Sequence, residues 1–412
     1  MPAATPGTPS LLRAMNDRAA LELLLAHGPL SRTRIGHLTG LSKPTASQLL
    51  ARLEDAGLVV ATGTDGGRPG PSAQLYALNP RAAHVGGLDV TPERVLAAVA
   101  DLTGAVVGSF ELPYTEGAGA VEQVTEALGE AVKAAGLQRS DLHRLVIATP
   151  GAFDPQTGRL RYASHLPGWH SPTLLDELAA ALPMPVEYEN DVNLAAIAEQ
   201  RLGAARGHED FVLLWNEEGL GAALVLGGRL HRGWTGGAGE VGFLPVPGHP
   251  LVRQVTRANT GGYQELAGVQ VLPRLAAELG IEATPGGTPP VAPHGPHAPH
   301  GPLVAEAVAL LRRAAAEPEG PYLRFLQSYA TVLATGLASL VAVLDPEVVV
   351  LSGAVITAGG DSLRALLEAE LGELAPARPR LVAGQVRERP VLRGALESAL
   401  AATREEVFDT SR

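Results

Sequence analysis

Cysteine is absent from the chain. Disulfide bridges and thiolate metal sites are therefore excluded. Charged residues are sparse at 18%, and positive charge is sparser still, leaving a net charge of −11. That balance argues against a protein coated along its whole length by nucleic acid. No uninterrupted apolar run reaches the ~18 residues that would span a bilayer. No signal-peptide pattern precedes the first helical segment. Together these absences lead to an expectation of a cytoplasmic protein.

What is present is a globular composition. Hydrophobic residues make up 46% of 412, enough for two or three domains with substantial cores. The charge is uneven. Residues 1–80 carry a net +2, and the remainder carries −13. A slightly basic head on an acidic body suits a chain whose head meets phosphate.

The head has the punctuation of a small DNA-binding module. The spacing predicts a helix over residues 11–27, with Leu12, Met15, Ala19, Leu23 and Leu24 on one face. Gly28-Pro29 stops it. Ser31 caps a second helix over 32–39, with Ile35 and Leu38 inward. Gly40 makes the turn, and Ser42 caps a third helix whose first turn holds Pro44. Leu49, Leu50 and Leu53 form its core side, and Gly57 ends it. Residues 58–61 and 74–78 read as strands around a glycine-rich tip, Gly63 to Gly70. Helix, helix-turn-helix and a two-stranded ribbon make a winged helix-turn-helix over residues 1–80, whose third helix enters the major groove. Its outer face offers Lys43, Thr45, Ser47, Gln48 and Arg52, with Arg32 and Arg34 on the helix before it. Short hydroxyl and amide side chains reach base edges, while Lys and Arg hold phosphates. Arg68, at the wing tip, is placed to enter a minor groove. The expected partner is a double-stranded DNA operator. The bland alternative is a three-helix module that binds protein.

A body follows over residues 84–412. It opens as a β-meander, 85–91 and 94–101 turning through Asp101-Leu102-Thr103-Gly104 into a third strand. A helix over 119–135 leads to a buried strand at 144–148. The stretch that organises the rest is Glu189-Asn190-Asp191-Val192-Asn193, where a strand gives way to a helix. Capping alone explains any one of these polar residues. Ligands of open α/β sheets nevertheless collect at the carboxyl ends of strands, and a polyol needs a ring of short donors and acceptors. A strand at 211–215, a turn at Gly219-Leu220-Gly221 and the run Gly236-Gly237-Ala238-Gly239-Glu240-Val241-Gly242-Phe243 complete the constellation.

Taken together, these motifs resemble the ROK family of repressors, open reading frames and sugar kinases, and the resemblance covers nearly the whole chain. It implies an α/β fold: a winged helix-turn-helix, then a two-lobed actin/hexokinase-like (ribonuclease H-like) body. Lobe one spans about 84–190 plus the C-terminal helix, and lobe two about 191–390. It implies an effector site at His165, Asn190, Asp191, Glu240 and Glu265, with Thr149-Pro150-Gly151 as the floor turn. Trp169 is expected to pack rather than to stack on a sugar.

The chain departs from the kinases of that family at both phosphate turns. Asp89 remains, but Val90-Thr91-Pro92-Glu93 follows where the family has glycines. Glu217 and Glu218 sit at the second turn. Carboxylates there repel a triphosphate. Phe243 stands where the family has a histidine that contacts both sugar and a structural zinc, and the three cysteines of the zinc loop are missing. No metal and no cofactor is therefore expected. His231 and His249 read as surface residues, and the Gly/Pro/His stretch at 285–302 reads as a flexible insertion.

Three readings follow. The first, a DNA-binding transcriptional regulator of repressor type and not an enzyme, has a body that forms a homodimer or tetramer and senses a sugar or sugar-like effector. The second is an ATP-dependent sugar kinase with Asp191 as general base. The third is a regulator without an effector, its cleft collapsed around Phe243.

Overall fold

Two serines set the geometry of the head. Ser31 Oγ accepts the Arg34 amide, and Ser42 Oγ accepts the Thr45 amide. Each thereby opens a helix at the expected residue. The computed structural model describes residues 9–65, 73–113, 118–154, 159–161, 169, 171, 173–252, 261–282 and 301–410.

The head runs α1 (Pro9–His27), β1 (Leu30–Ser31), α2 (Arg32–Thr39), α3 (Lys43–Asp55), β2 (Val59–Asp65) and β3 (Ala73–Leu78). The strands form a small sheet in the order β1-β3-β2. Leu21, Leu24, Ile35, Leu49, Leu50 and Leu53 share one buried cluster. The inward face of α1 is not the one that its apolar spacing suggests. Leu12 and Met15 are 55% and 59% exposed, while Asp17, Ala20, Leu21 and Leu24 turn inward. Both stripes have helical spacing, and docking chose between them. Asp17 tolerates burial because Arg52 Nη2 donates to it at 2.6 Å and Thr410 Oγ1 at 3.2 Å. Leu38, expected inward, is also exposed, at 36%.

The body is built on two five-stranded sheets. The first takes β4 (His84–Val90), β5 (Arg94–Asp101), β6 (Val106–Pro113) and, after α4 (Ala120–Ala134), β7 (Leu142–Thr149). A short ribbon of β8 (Ala152–Asp154) and β9 (Arg159–Arg161) and a helix α5 (Leu174–Ala181) precede β10 (Val186–Asn190). The order is β10-β7-β4-β5-β6, with β10 and β4 parallel to β7. Trp169 is buried in the core on the α4 side of this sheet, as expected of a packing residue.

Helix α6 (Asp191–Leu202) crosses to the second sheet, made from β11 (Phe211–Asn216), β12 (Leu220–Leu226) and β13 (Arg229–Leu230). Four helices follow among the described residues before its next strand: α7 (Gly262–Ala267), α8 (Val271–Glu278), α9 (Gly301–Ala316) and α10 (Gly320–Leu344), then β14 (Val348–Ser352) with α11 (Ala354–Ala358) behind it. Helix α12 (Gly360–Leu374), β15 (Arg380–Ala383) and α13 (Pro390–Val407) close the chain. The order is β13-β12-β11-β14-β15. Helix α10 is long and apolar enough to cross a membrane, but half of that stretch is buried, with Phe325, Tyr329 and Leu333 in the core beside this sheet.

A third core lies between the sheets. Val85 and Ala98 of the first sheet, Leu213 and Ala223 of the second, and Leu194, Ala395 and Ala399 of α6 and α13 belong to one buried cluster. The two helices approach so closely that a Cβ at Gly394 would sit 1.8 Å from the Leu194 carbonyl oxygen. This contact fixes the start of α6, and with it Asp191, against the rest of the body.

Candidate functional site

The strand-to-helix corner at Glu189–Asn193 is held by its own side chains. Asn190 Oδ1 accepts the Asn193 amide at 3.0 Å and caps α6, while Asn190 Nδ2 donates to the Gly151 carbonyl at 3.1 Å. Glu189 accepts from the Asn190 amide and from Asn193 Nδ2, both at 2.9 Å, and its other oxygen accepts from Arg232 Nε at 2.6 Å. The buried Glu189 therefore ties β10 and α6 to the loop that follows β13. Asn190 is mainly structural here, with one N–H left to offer a ligand.

These elements surround a cavity of about 570 Å3. Its wall includes Asp89 at the end of β4, Asp191 at the start of α6, Glu217 and Glu218 in the β11–β12 turn, and Glu240 after the glycine run. Asp89 is buried; Asp191, Glu217 and Glu240 are half-buried because the cavity itself admits water; Glu218 lies at the mouth. Burial raises every one of these carboxyls. Asp89 is pushed up to about 6, with Arg94 and Arg389 opposing. Asp191 rises to about 7 through burial, partly offset by the Val192 amide and reinforced by Asp89 and Glu240. Glu217 rises to about 8 through burial and then through Asp89, Glu218 and Asp191, and Glu240 rises to about 7 by burial. Glu218 is raised by burial and by Glu93.

Both turns border one space, with Asp89 from the first and Glu217 and Glu218 from the second, whereas Glu93, the acid that the first turn adds, is not among its lining residues. Phe243 lines that space without filling it, so the cleft is open and the expectation of a cleft collapsed around Phe243 is corrected. Glu265 is a second correction. Its Oε2 accepts the Gly261 amide at 2.7 Å and caps α7, whereas Gln264, one residue earlier and so about 100° around the helix, lines the cavity. Gln264 Oε1 also accepts the Leu220 amide at 2.7 Å, which fixes the turn carrying Glu217 and Glu218. Beneath that turn, the buried Asn216 donates to Tyr329 Oη at 2.7 Å and to the Ala267 carbonyl at 3.0 Å. Trp215 and Gln264 are lining residues that motif reading passed over. His165 and the 285–300 stretch lie outside the described residues.

On the head, Lys43, Thr45, Gln48, Arg32 and Arg34 are exposed and Ser47 is half-buried. Arg32 Nη1 donates to Ser47 Oγ at 3.2 Å, which brings α2 and α3 into one surface. Thr45 Oγ1 lies 2.8 Å from Ser42 Oγ, within the cap. Arg52 differs from the rest. Its guanidinium is committed to Asp17, so its first role is to neutralise a buried carboxylate rather than to meet a phosphate. Arg68 lies outside the described residues.

Residues 85–402 match the ROK family model, and residues 16–68 match a MarR family model. The chain is 24% identical over 268 residues to the DNA-binding transcriptional dual regulator NagC of Escherichia coli strain K12, covering 63% of this chain and 64% of that one. It is 27% identical over 285 residues to a glucokinase of Halalkalibacterium halodurans, covering 68% and 82%. The crystal structure of a ROK family transcriptional regulator, a homologue of the E. coli MLC protein, superposes with a TM-score of 0.66 at 20% identity over 96% of this chain and 99% of that one. The chain spans about three fifths of the length of the first curated relatives that it matches, 61% and 64%. With its actin/hexokinase-like body behind a MarR-like winged helix-turn-helix, the chain belongs to the ROK family.

Proposed function

We propose that this chain is a DNA-binding transcriptional regulator, of repressor type, whose body senses a small polyol in the cleft between its sheets. Residues 1–80 act as the DNA-binding domain and 84–412 as the sensing and oligomerising body. Lobe one is 84–190 with the C-terminal helix, and lobe two is 191–390. The observation that carries this reading is the outer face of α3. Lys43, Thr45 and Gln48 stand exposed on a helix that starts at a capped terminus, with Arg32 alongside through Ser47. Short polar groups at the start of a helix, flanked by cations, suit base edges and phosphates of a major groove. A homodimer would set two such helices on half-sites about one helical turn apart. An effector that binds one arrangement of the lobes better than another would shift that spacing. A cytoplasmic location goes with this role.

The test is selection of genomic duplex fragments by the purified full chain, followed by a mobility-shift titration. A reproducible sequence preference supports the reading. Equal affinity for every duplex, or none, sinks it.

A second reading, an ATP-dependent sugar kinase, is favoured by Asp191, whose carboxyl near pH 7 faces the cavity as a general base would. Against it stand Glu217 and Glu218, which oppose the entry of a triphosphate. Sugar-dependent release of ADP from ATP, across a panel of hexoses, would restore the kinase.

A further inference from the structure

The cleft carries five carboxyls. Asp89, Asp191, Glu217, Glu218 and Glu240 line one cavity, and among its described lining residues there is no Lys, Arg or His. Arg94 and Arg389, which act on Asp89 from behind, are both drawn to Glu111, at 3.3 and 3.7 Å. Asp89 is only 9% exposed and lines the cavity, yet among the described residues its carboxylate accepts no hydrogen bond and makes no ion pair. A desolvated carboxylate with free lone pairs is costly unless something pairs with it. Here the open side is the cavity.

The chemistry of the partner follows from spacing. Among the described residues no three His, Asp or Glu side chains are grouped so as to hold a metal ion. Carboxylates not grouped around one point suit an ammonium carried on a carbon skeleton better than a bare metal ion. The same wall supplies apolar surface for such a skeleton at Val90, Trp215, Leu303 and Val391. Asn190, Asp191 and Gln264 line the same cavity and offer hydrogen bonds to hydroxyls.

We propose that the end of the cleft bounded by Asp89, Glu217 and Glu218 binds the ammonium group of an organic amine, so that the effector is an amine-bearing polyol or polyamine rather than a neutral sugar. The proposal deepens the regulator reading and rests on it for the word effector. Each ammonium N–H donates to a carboxylate that otherwise faces only its own kind, and charge-assisted bonds of this type are the strong ones.

The test is calorimetric titration of the full chain at pH 8 with glucosamine and with spermidine, against glucose and magnesium chloride. Saturable binding of either amine, at least tenfold tighter than glucose, is the expected result. The double variant Asp89→Asn/Glu217→Gln should weaken it at least tenfold. Those changes are close to isosteric and remove repulsion, and a melting curve at or above the parent's verifies folding. A surface control, Glu122→Gln/Glu126→Gln on α4, should leave it unchanged. Glucose binding as tightly as both amines overturns the proposal, as does magnesium competing at the same site. Amine binding undiminished in the cleft variant also overturns it, because the amine would then be adsorbed on the acidic surface. Duplex binding is scored separately. A chain that prefers an operator but ignores both amines refutes this inference alone, and one that binds amine but no duplex refutes the regulator instead.

Discussion

The guanidinium of Arg18 grips both carboxylate oxygens of Glu405, each at 2.8 Å. The first helix of the head is thereby fastened to the last helix of the body. The fastening is more than one exposed pair. Phe408, just beyond α13, is 3% exposed and belongs to the same buried cluster as Leu21, Leu24 and Leu53. At its other end α13 begins beside the cleft, where Val391 lines the cavity and Arg389 acts on Asp89. One helix therefore touches both the cavity and the winged helix-turn-helix.

From this follows a contrast between two variants. Phe408→Ala is expected to destabilise the head by about 3 to 5 kcal/mol, the usual range for emptying a buried aromatic position. Arg18→Ala should leave the melting curve nearly unchanged, because exposed ion pairs contribute little. Chemical denaturation followed by near-ultraviolet circular dichroism reads both. Equal melting of Phe408→Ala and the parent would show that the tail is not part of the head's core.

Arg52 and Gln48 separate folding from recognition. Arg52→Ala removes the main partner of buried Asp17, leaving Thr410 Oγ1 at 3.2 Å. An unpaired buried acceptor of this kind costs about 1 to 3 kcal/mol, so this variant should melt earlier. Gln48→Ala removes an exposed side chain and should keep the parent's stability. Its loss in duplex affinity should be about 5- to 100-fold if the side chain reads a base. Lys43→Ala should weaken all duplexes alike and reduce the salt dependence by about one ion. Unchanged binding in both would move the reading face off α3.

The fold was legible where local chemistry is self-contained. Ser31, Ser42 and Asn190 cap helices at the residues expected of them, because a capping bond needs only the next three residues. The acidic second turn at Glu217 and Glu218 was legible within a family resemblance, whereas Glu93 of the first turn is not among the residues lining the cavity. Three features were not. The face of α1 depended on a carboxylate, Asp17, whose partners lie 35 and 393 residues away. Glu265 and Gln264 differ by one step on a short helix, and no periodicity tells which one a cavity will see. The strands β1 and β15 are two and four residues long, too short for alternation to register.

The cleft makes stability fall with rising pH. For an acid whose folded pKa is raised, protonation favours the folded state, and that contribution is lost as pH rises through the folded value. Asp89, Asp191, Glu240 and Glu217 have values of about 6, 7, 7 and 8. The melting temperature should therefore drop between pH 5.5 and 8.5, a window drawn from those values on the linkage argument. Glu217→Gln should flatten the upper part of that slope and melt higher than the parent at the alkaline end. A profile flat across the window would show that the cavity hydrates its carboxylates freely.

Gly239 carries the last prediction. Its φ is +96°, and a Cβ there would stand 2.0 Å from the Ala222 carbonyl oxygen. The close approach has a purpose: the Gly239 carbonyl accepts the Ala222 amide at 2.9 Å, pinning the loop onto β12 just before Glu240, and accepts the Val241 amide at 2.7 Å, closing a tight turn around Glu240. Ala at this position must push the loop off the strand. The backbone conformation alone costs about 1 to 3 kcal/mol for a residue with a side chain. Glu240 moves with the loop, so Gly239→Ala should lower both the melting temperature and the affinity for any cleft ligand. Gly219→Ala provides the comparison, since a Cβ there meets nothing within 4 Å and a change of under about 0.5 kcal/mol is expected at such a surface site. If the two variants melted alike, the loop would be free to relax and Glu240 would not owe its place in the cleft to Gly239.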